Sequence, residues 1–184
     1  MTLPLTAPLP LPTPLDLPGI QVEMMPGGAI LWHRIIEVRA VRVAWRSLSL
    51  ALQHPLLRQA SVYVLAGLAP VQEAEDDAPV LTLHFYTGEV GRPPRRLPDH
   101  RRSPAMAFVE TMYLLTSRSF NKADVIYLQE RVAALVRASG QGIVVQGCAP
   151  VSQPIMQCDA EALDLGLGFG LTLLQAAGCP WVEL

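Results

Sequence analysis

The sequence predicts an α/β fold of the α+β kind, with a small central antiparallel sheet flanked by helices. Three observations support this prediction. Runs rich in β-branched residues recur along the chain, which is typical of strands. Two of these runs, at 61–67 and 80–86, are joined by one loop and are most simply antiparallel neighbours. Residues 121–140 instead repeat their apolar side chains at helical spacing.

The composition limits the classes of function. The 184 residues suit one ordinary domain with a sizeable core plus a tail, and the apolar content of 51% is enough for a packed fold. The formal net charge is −2, so binding of polyanions through bulk positive charge is excluded. Any contact with nucleic acid must therefore come from a local patch of positive charge.

The chain divides into three predicted parts. Residues 1–18 carry six of the 17 prolines and predict a flexible, polyproline-like tail. Residues 19–55 predict an N-terminal extension, with a strand in the β-branched run 29–43 and a short helix before Pro55. The main domain is predicted to cover residues 56–184.

The sequence also predicts a compartment. The N-terminus has no basic segment before an apolar run, and no apolar run approaches membrane-spanning length, so neither a signal peptide nor a membrane partner is expected. The cysteines, Cys148, Cys158 and Cys179, are odd in number and include no close pair, which predicts buried free thiols rather than a disulfide framework. The expected location is the cytoplasm.

The two strands at 61–67 and 80–86 predict which side chains share a face. The acidic segment 68–79 between them predicts a solvated hairpin loop. Because side chains alternate between the two faces of a strand, Tyr63 and Tyr86 can lie on the same face of the sheet.

A basic loop is predicted after the second strand, around Gly88, Gly91, Pro93 and Pro94. Within eleven residues this segment carries Arg92, Arg95, Arg96, Arg101 and Arg102. A run of arginines is usually only solvated surface, but the neighbouring tyrosine pair favours a patch that contacts phosphates. The sequence therefore points to salt-sensitive binding of nucleic acid.

The remaining predicted elements are a strand at 108–117, a helix at 121–140, a strand at 142–147 and a helix at about 160–177. Asn121 is the predicted N-cap of the first helix and Gly140 ends it. The last helix is expected to be loose or broken, since it contains Gly166, Gly168 and Gly170.

Three segments, in this order, resemble the GIY-YIG nuclease superfamily: SVYVLAG, FYTGEVGRPPRRLPDH and FNKADVIYLQERVAALVRASG. The resemblance runs from about Leu56 to the C-terminus. The two tripeptides that name the family correspond to residues 61–63 and 86–88, and the family's arginine and histidine correspond to Arg96 and His100. The resemblance implies a small antiparallel sheet flanked by helices, and cleavage of DNA phosphodiester bonds with one divalent metal ion.

The resemblance also implies roles for individual residues. Tyr63 would be the general base or part of a proton relay, Tyr86 an orienting phenol, and Arg96 a clamp on the phosphate. His100 would position or relay a proton. The further nucleic-acid-binding residues would be Arg92, Arg95, Arg101, Arg102 and Lys122. The cofactor would be Mg²⁺ or Mn²⁺ in an active enzyme, and none otherwise.

The sequence departs from the family at the metal ligand. Gln129 occupies the position of the family's metal-binding glutamate, and an amide is a poor sole ligand for Mg²⁺. At about 100° per residue, Gln129 points inward with the apolar stripe of its helix, whereas Glu130 points away from it. Glu130 would therefore need a local helix distortion to replace the missing carboxylate. A second departure is Gln146, where relatives often carry asparagine.

Three functions remain open at this stage. The first is a divergent GIY-YIG-type domain that binds nucleic acid, with DNA as the expected ligand, and has weak or lost cleavage. The second is an active Mg²⁺- or Mn²⁺-dependent endonuclease that uses another carboxylate, Glu130 or Glu110. The third is a non-catalytic scaffold that binds a protein partner or forms a homodimer, since fold alone does not determine function.

Overall fold

The structure is a computed structural model that describes residues 18–71, 78–145 and 155–182. Within these ranges the chain forms seven strands and four helices. The strands are β1 (Gln21–Met25), β2 (Gly28–His33), β3 (Ile36–Ala44), β4 (Ser61–Val71), β5 (Val80–Val90), β6 (Thr111–Thr116) and β7 (Ile143–Val144). The helices are α1 (Leu48–Ala51), α2 (Pro93–Arg102), α3 (Lys122–Ser139) and α4 (Gln157–Ala176).

All seven strands join one sheet, in the order β1-β2-β3-β6-β4-β5-β7. Every neighbouring pair is antiparallel except β5 and β7, which are parallel. The predicted mixed α/β class is confirmed, and β4 and β5 are antiparallel neighbours as predicted. The single strand expected at 29–43 is instead a hairpin of β2 and β3, and its second strand continues the sheet by pairing with β6.

Two apolar cores cover the two faces of the sheet. Helices α3 and α4 pack on one face, where Leu128 and Leu171 meet Val64 and Leu115. On the other face, α1, α2 and the short 3₁₀ turn Pro55–Arg58 provide the cover, with Leu48 and Leu97 packed against the strand residues. Tyr63 and Tyr86 belong to this second core, so the functional candidates lie on the α2 side.

The prediction of a basic loop around Gly88, Gly91, Pro93 and Pro94 is wrong over most of its length, because β5 continues through Gly88 to Val90 and helix α2 begins at Pro93. Pro93 and Pro94 occupy the first helical positions, where the backbone N–H has no intrahelical partner and proline's fixed φ suits the helix. Gly91 remains outside the helix, before its N-cap residue Arg92. Consequently the arginines project from a helix that packs on the sheet through buried Leu97.

Helix α3 has the predicted ends. The Asn121 side chain accepts hydrogen bonds from the backbone N–H of Ala123 at 2.7 Å and of Asp124 at 3.2 Å. The Asp124 carboxylate in turn accepts from the Asn121 N–H at 2.8 Å, which completes a capping box. Gly140 ends the helix with a φ of 63°, a conformation that favours glycine.

Helix α4 is continuous, so the expectation that its glycines loosen or break it is wrong. Gly168 and Gly170 are buried, and Gly170 faces Leu115 and Val38 of the sheet. A Cβ atom on Gly170 would lie 2.9 Å from Cδ1 of Leu115 in β6, closer than side-chain contacts allow. The absent side chain therefore lets the helix approach the strands, and tertiary packing offsets the low helix propensity of glycine.

Other expectations concern the chain between these elements. Strand β4 extends four residues beyond its predicted end, so less of the 68–79 segment is loop than expected, and residues 72–77 lie outside the described ranges. Strand β5 begins at Val80 as predicted and continues to Val90, four residues beyond its predicted end. The tail residues 1–17, together with Gln146 and Cys148, also lie outside them. Cys179 is buried as expected but Cys158 is exposed. Across the described ranges, none of the helices combines the length and apolarity needed to cross a bilayer.

Candidate functional site

The two tyrosines meet across the β4–β5 pair. Tyr63 of β4 is directly opposite Gly88 of β5, and Tyr86 lies two residues before that glycine on the same face. The ring centroids of Tyr63 and Tyr86 are 6.4 Å apart with an interplanar angle of 27°. The alternation of side chains along the strands therefore predicted this pairing correctly.

Gly88 provides the space that the Tyr63 ring fills. A Cβ atom at residue 88 would lie 2.4 Å from both Cζ and the hydroxyl oxygen of Tyr63. The ring is only 1% exposed, so it packs tightly against the bare backbone of the facing strand. The position of the phenol thus depends on the absence of a side chain at residue 88.

His100 of α2 completes an aromatic cluster with the two tyrosines. Its Nε2 atom is 2.8 Å from the hydroxyl oxygen of Tyr63, and its ring centroid is 5.1 Å from that of Tyr86. Burial, reinforced by the charges of Tyr86 and Glu89, raises the pKa of Tyr63 above its ordinary value, with Arg96 opposing the change. Burial and then the charge of Arg96 lower the pKa of His100. We infer that a protonated Tyr63 donates its hydrogen bond to Nε2 of a neutral His100.

Because the pKa of His100 is lower in the folded protein than its ordinary value, the free energy of unfolding depends on pH. The ordinary pKa of histidine is 6.5, so below this pH the unfolded chain binds a proton that the folded protein resists. The free energy of unfolding is therefore expected to fall as the pH drops from about 6.5 towards the folded pKa, and this part of the loss ends below that pKa.

Denaturant unfolding of the wild type and of His100→Gln between about pH 7.5 and 5.5 checks this expectation. The stability advantage of the wild type over the variant should shrink on acidification. His33→Gln, outside the aromatic cluster, serves as the control. An advantage that grows on acidification would contradict a neutral His100.

Arg96 of α2 connects this cluster to the edge of the sheet. Its guanidinium interacts with the Tyr86 phenol. Its Nη1 atom donates to the backbone oxygen of Glu89 at 3.3 Å and lies 3.8 Å from the Glu89 carboxylate. The side chain is nevertheless 46% exposed, so N–H donors that these contacts leave free can meet solvent or a ligand.

Glu89 is a site residue that the sequence analysis missed. It is 9% exposed and forms ion pairs with both Arg96 and Lys122. Lys122, predicted as a nucleic-acid-binding residue, is therefore held by this carboxylate at the start of α3. A signal was present in the sequence, since the acidic residue at 89 follows the run 80–86 that was predicted as a strand and precedes the arginines.

Gln129 reaches the same strand from α3. On the side of β5 that faces away from β4, the backbone carbonyls of alternate residues each accept a hydrogen bond. The Phe85 carbonyl accepts from the Val145 N–H at 2.7 Å, and the Thr87 carbonyl accepts from Gln129 Nε2 at 3.4 Å. The Glu89 carbonyl accepts from Arg96. Alternate residues of a strand are spaced by about 7 Å. Gln129 and Arg96 are thus neighbours along one strand edge, and the inward direction predicted for Gln129 agrees with this contact.

The side chains present do not fit a divalent metal ion. The Gln129 amide nitrogen donates to a backbone carbonyl, and the Glu89 carboxylate already has two cationic partners. Glu130 is exposed, and Glu110 lines a different cavity of about 580 Å³ beside Arg46. Among the described residues there is no group of three or more histidine, cysteine or acidic side chains that could hold a metal. The arrangement supplies hydrogen-bond donors and positive charge, which suit an anion.

The other predicted arginines divide into two sets. Arg101 donates to the Ser49 hydroxyl at 2.9 Å and to the Arg46 carbonyl at 3.1 Å, so it holds α2 against α1 and against the 3₁₀ turn Trp45–Ser47 that precedes α1. Arg102 forms an ion pair with Asp99 one turn earlier. Arg92 and Arg95 are exposed and have no carboxylate partner among the described residues.

In comparisons with known proteins, the chain matches no family model, no curated protein and no solved structure.

Proposed function

We propose that this protein is a divergent GIY-YIG-type domain that binds nucleic acid, with DNA as the ligand, and whose metal-dependent cleavage is weak or lost. The observation that carries the proposal is the position of Arg96. Its guanidinium interacts with the Tyr86 phenol next to the Tyr63–His100 pair, and nearly half of the side chain is exposed.

This position suits a phosphate of the nucleic-acid backbone. The guanidinium fork matches two phosphate oxygens, and charge-assisted hydrogen bonds of this kind are about twice as strong as neutral ones. Glu89 fixes the guanidinium before a ligand arrives, which reduces the entropy lost on binding. The role that the family resemblance implies for Arg96, a clamp on the phosphate, agrees with this geometry.

Weak or lost cleavage follows from the proton and charge arrangement. The raised pKa of Tyr63 disfavours the phenolate that a general base would require. Gln129 brings no charge to the position of the family's metal-binding glutamate, and its amide contacts the β5 edge instead. The same proposal sets the protein in the cytoplasm, on the basis of the free thiols of Cys158 and Cys179, and leaves room for a protein partner or a homodimer.

Binding and cleavage assays on the full chain test the proposal. Affinity for labelled duplex DNA, single-stranded DNA and RNA would be measured by fluorescence anisotropy over a series of salt concentrations. Arg96→Ala is expected to weaken DNA binding about tenfold and to reduce the dependence on salt. Arg34→Ala, which removes an exposed arginine from the β2–β3 turn, should leave both unchanged.

The cleavage arm separates the remaining alternatives. Plasmid would be incubated with the protein and Mg²⁺, Mn²⁺ or a chelator. Little or no nicking beside salt-sensitive binding supports the proposal. Efficient metal-dependent nicking that Tyr63→Phe abolishes would establish an active endonuclease, and Glu130→Gln and Glu110→Gln would then identify the carboxylate. Absence of both binding and nicking would favour the protein-binding scaffold.

A further inference from the structure

Arg58 is a basic residue that lies outside the arginine-rich segment 92–102 in the sequence. It ends the 3₁₀ turn Pro55–Arg58, shortly before β4 begins, and this turn contacts helix α2. The start of β4 pairs with the end of β5, so the fold brings Arg58 to the same cavity as Arg92 and Arg95, which follow β5. The cavity measures about 510 Å³, and its remaining lining is provided by Leu52 and Pro94.

The charge in this cavity is uncompensated. Arg58, Arg92 and Arg95 are all exposed, and none forms an ion pair or side-chain hydrogen bond within the parts of the chain that the structure describes. Three like charges around one cavity repel each other, and an anion bound between them offsets that repulsion because it attracts each of the three guanidinium groups. The nearby Arg101 and Arg102 differ, since each is engaged by other groups of the protein.

Two of the cavity's arginines are close to Arg96 along the chain. Arg92 lies two residues after the end of β5, and Arg95 precedes Arg96 on the same helix. A nucleic-acid strand that places one phosphate at Arg96 can therefore run in one of two directions, towards the cavity or away from it. The positive charge favours the first direction. Leu52 and Pro94 add apolar surface of the kind that a sugar or base covers.

Resting on the proposed function, we propose that Arg58, Arg92 and Arg95 form a second phosphate subsite, which binds the phosphodiester next along the strand from the one at Arg96. The subsite gives the protein a path for a nucleic-acid backbone over the end of the β4–β5 hairpin. The subsite also gives Arg58 a role in binding, although Arg58 lies far from the basic segment in the sequence.

Substitution of Arg58 tests this inference. Arg58→Ala in the full chain is expected to weaken oligonucleotide binding about fivefold at low salt and to reduce the slope of log affinity against log salt by about 0.7 for single strands or about 0.9 for duplex. Arg58→Lys should keep most of the slope, because the charge remains, but lose part of the affinity that the guanidinium fork provides. Arg34→Ala is the matched control for loss of one exposed arginine.

Two further measurements distinguish the possible outcomes. Thermal unfolding of Arg58→Ala should match or exceed that of the wild type, because the substitution removes repulsion and no bond. Titration with inorganic pyrophosphate, followed through the arginine Nε–H resonances, reports on small anions. Normal oligonucleotide binding by Arg58→Ala overturns the subsite and leaves the proposed function standing. Absence of oligonucleotide binding by the wild type overturns the proposed function, and a response of Arg58 to pyrophosphate alone overturns the phosphodiester assignment in favour of a small-anion site.

Discussion

Replacing Gly88 with alanine is expected to weaken nucleic-acid binding by at least about tenfold and to lower the free energy of unfolding by about 1–3 kcal/mol. The added Cβ atom would lie 2.4 Å from the ring and hydroxyl of Tyr63, so one of the two must move. Tyr63 is nearly fully buried, and its displacement breaks the hydrogen bond to His100 and disturbs Tyr86, which interacts with Arg96. Chemical denaturation and fluorescence anisotropy measure the two effects.

Gly91→Ala is the matched control for this prediction. A Cβ atom at residue 91 would meet no other atom within 4 Å, although the position is only three residues further along the chain. The control should therefore retain the wild-type stability and affinity to within the error of the measurements. Equal behaviour of the two alanine variants would show that the Tyr63 ring has room to relax and that its packing does not organise the site.

Glu89→Gln is expected to change stability and affinity in opposite directions. The neutral amide loses the charge-assisted interactions with Arg96 and Lys122, and hydrogen bonds to charged groups contribute about 1.5–3 kcal/mol each. Because both cations are partly exposed, we expect a decrease of about 1–2 kcal/mol in the free energy of unfolding. The same substitution removes a negative charge beside the proposed phosphate position, so binding of DNA should tighten severalfold at low salt.

The control for this prediction is Glu37→Gln, an exposed acid on β3 at a distance from the β5 edge. It removes the same charge from the protein without touching Arg96. Weaker DNA binding by Glu89→Gln would mean that orienting the guanidinium matters more than the local charge. Metal-dependent nicking that Glu89→Gln abolishes and Glu37→Gln retains would show that the carboxylate holds a metal ion, against the proposal of weak or lost cleavage.

Features with a local signal could be predicted from the sequence. The shared face of Tyr63 and Tyr86 follows from the two-residue period of a strand, and the ends of α3 follow from the capping chemistry of Asn121 and Gly140. The inward direction of Gln129 follows from the helical angle. These predictions needed only the geometry of one element or of one strand pair, which the chain specifies locally.

Features that depend on tertiary contacts could not be predicted in this way. Helix α2 contains two prolines at its start and a third at Pro98, a composition typical of loops, and its formation depends on packing of Leu97 in the core. The continuity of α4 depends on how closely the buried Gly170 approaches Leu115. Glu89 gains its importance from partners on two helices, and Arg58 joins Arg92 only because the hairpin ends lie together.

The two borders of the sheet differ in how far their backbone hydrogen-bonding groups are already occupied. On the side of β5 that faces away from β4, three carbonyls accept hydrogen bonds from other parts of the chain. At Thr87 and Glu89, side chains from α3 and α2 occupy acceptors that an incoming strand would need, and the N–H of Val145, directly after β7, occupies the one at Phe85. Unprotected borders are templates for self-association. Strand β1, whose Val22 and Met24 are exposed, has no pairing partner on its outer side within the described ranges. We therefore expect strand addition at the five-residue β1 border rather than beside Thr87 and Glu89, and oligomers formed in that way would leave the tyrosine–arginine surface accessible.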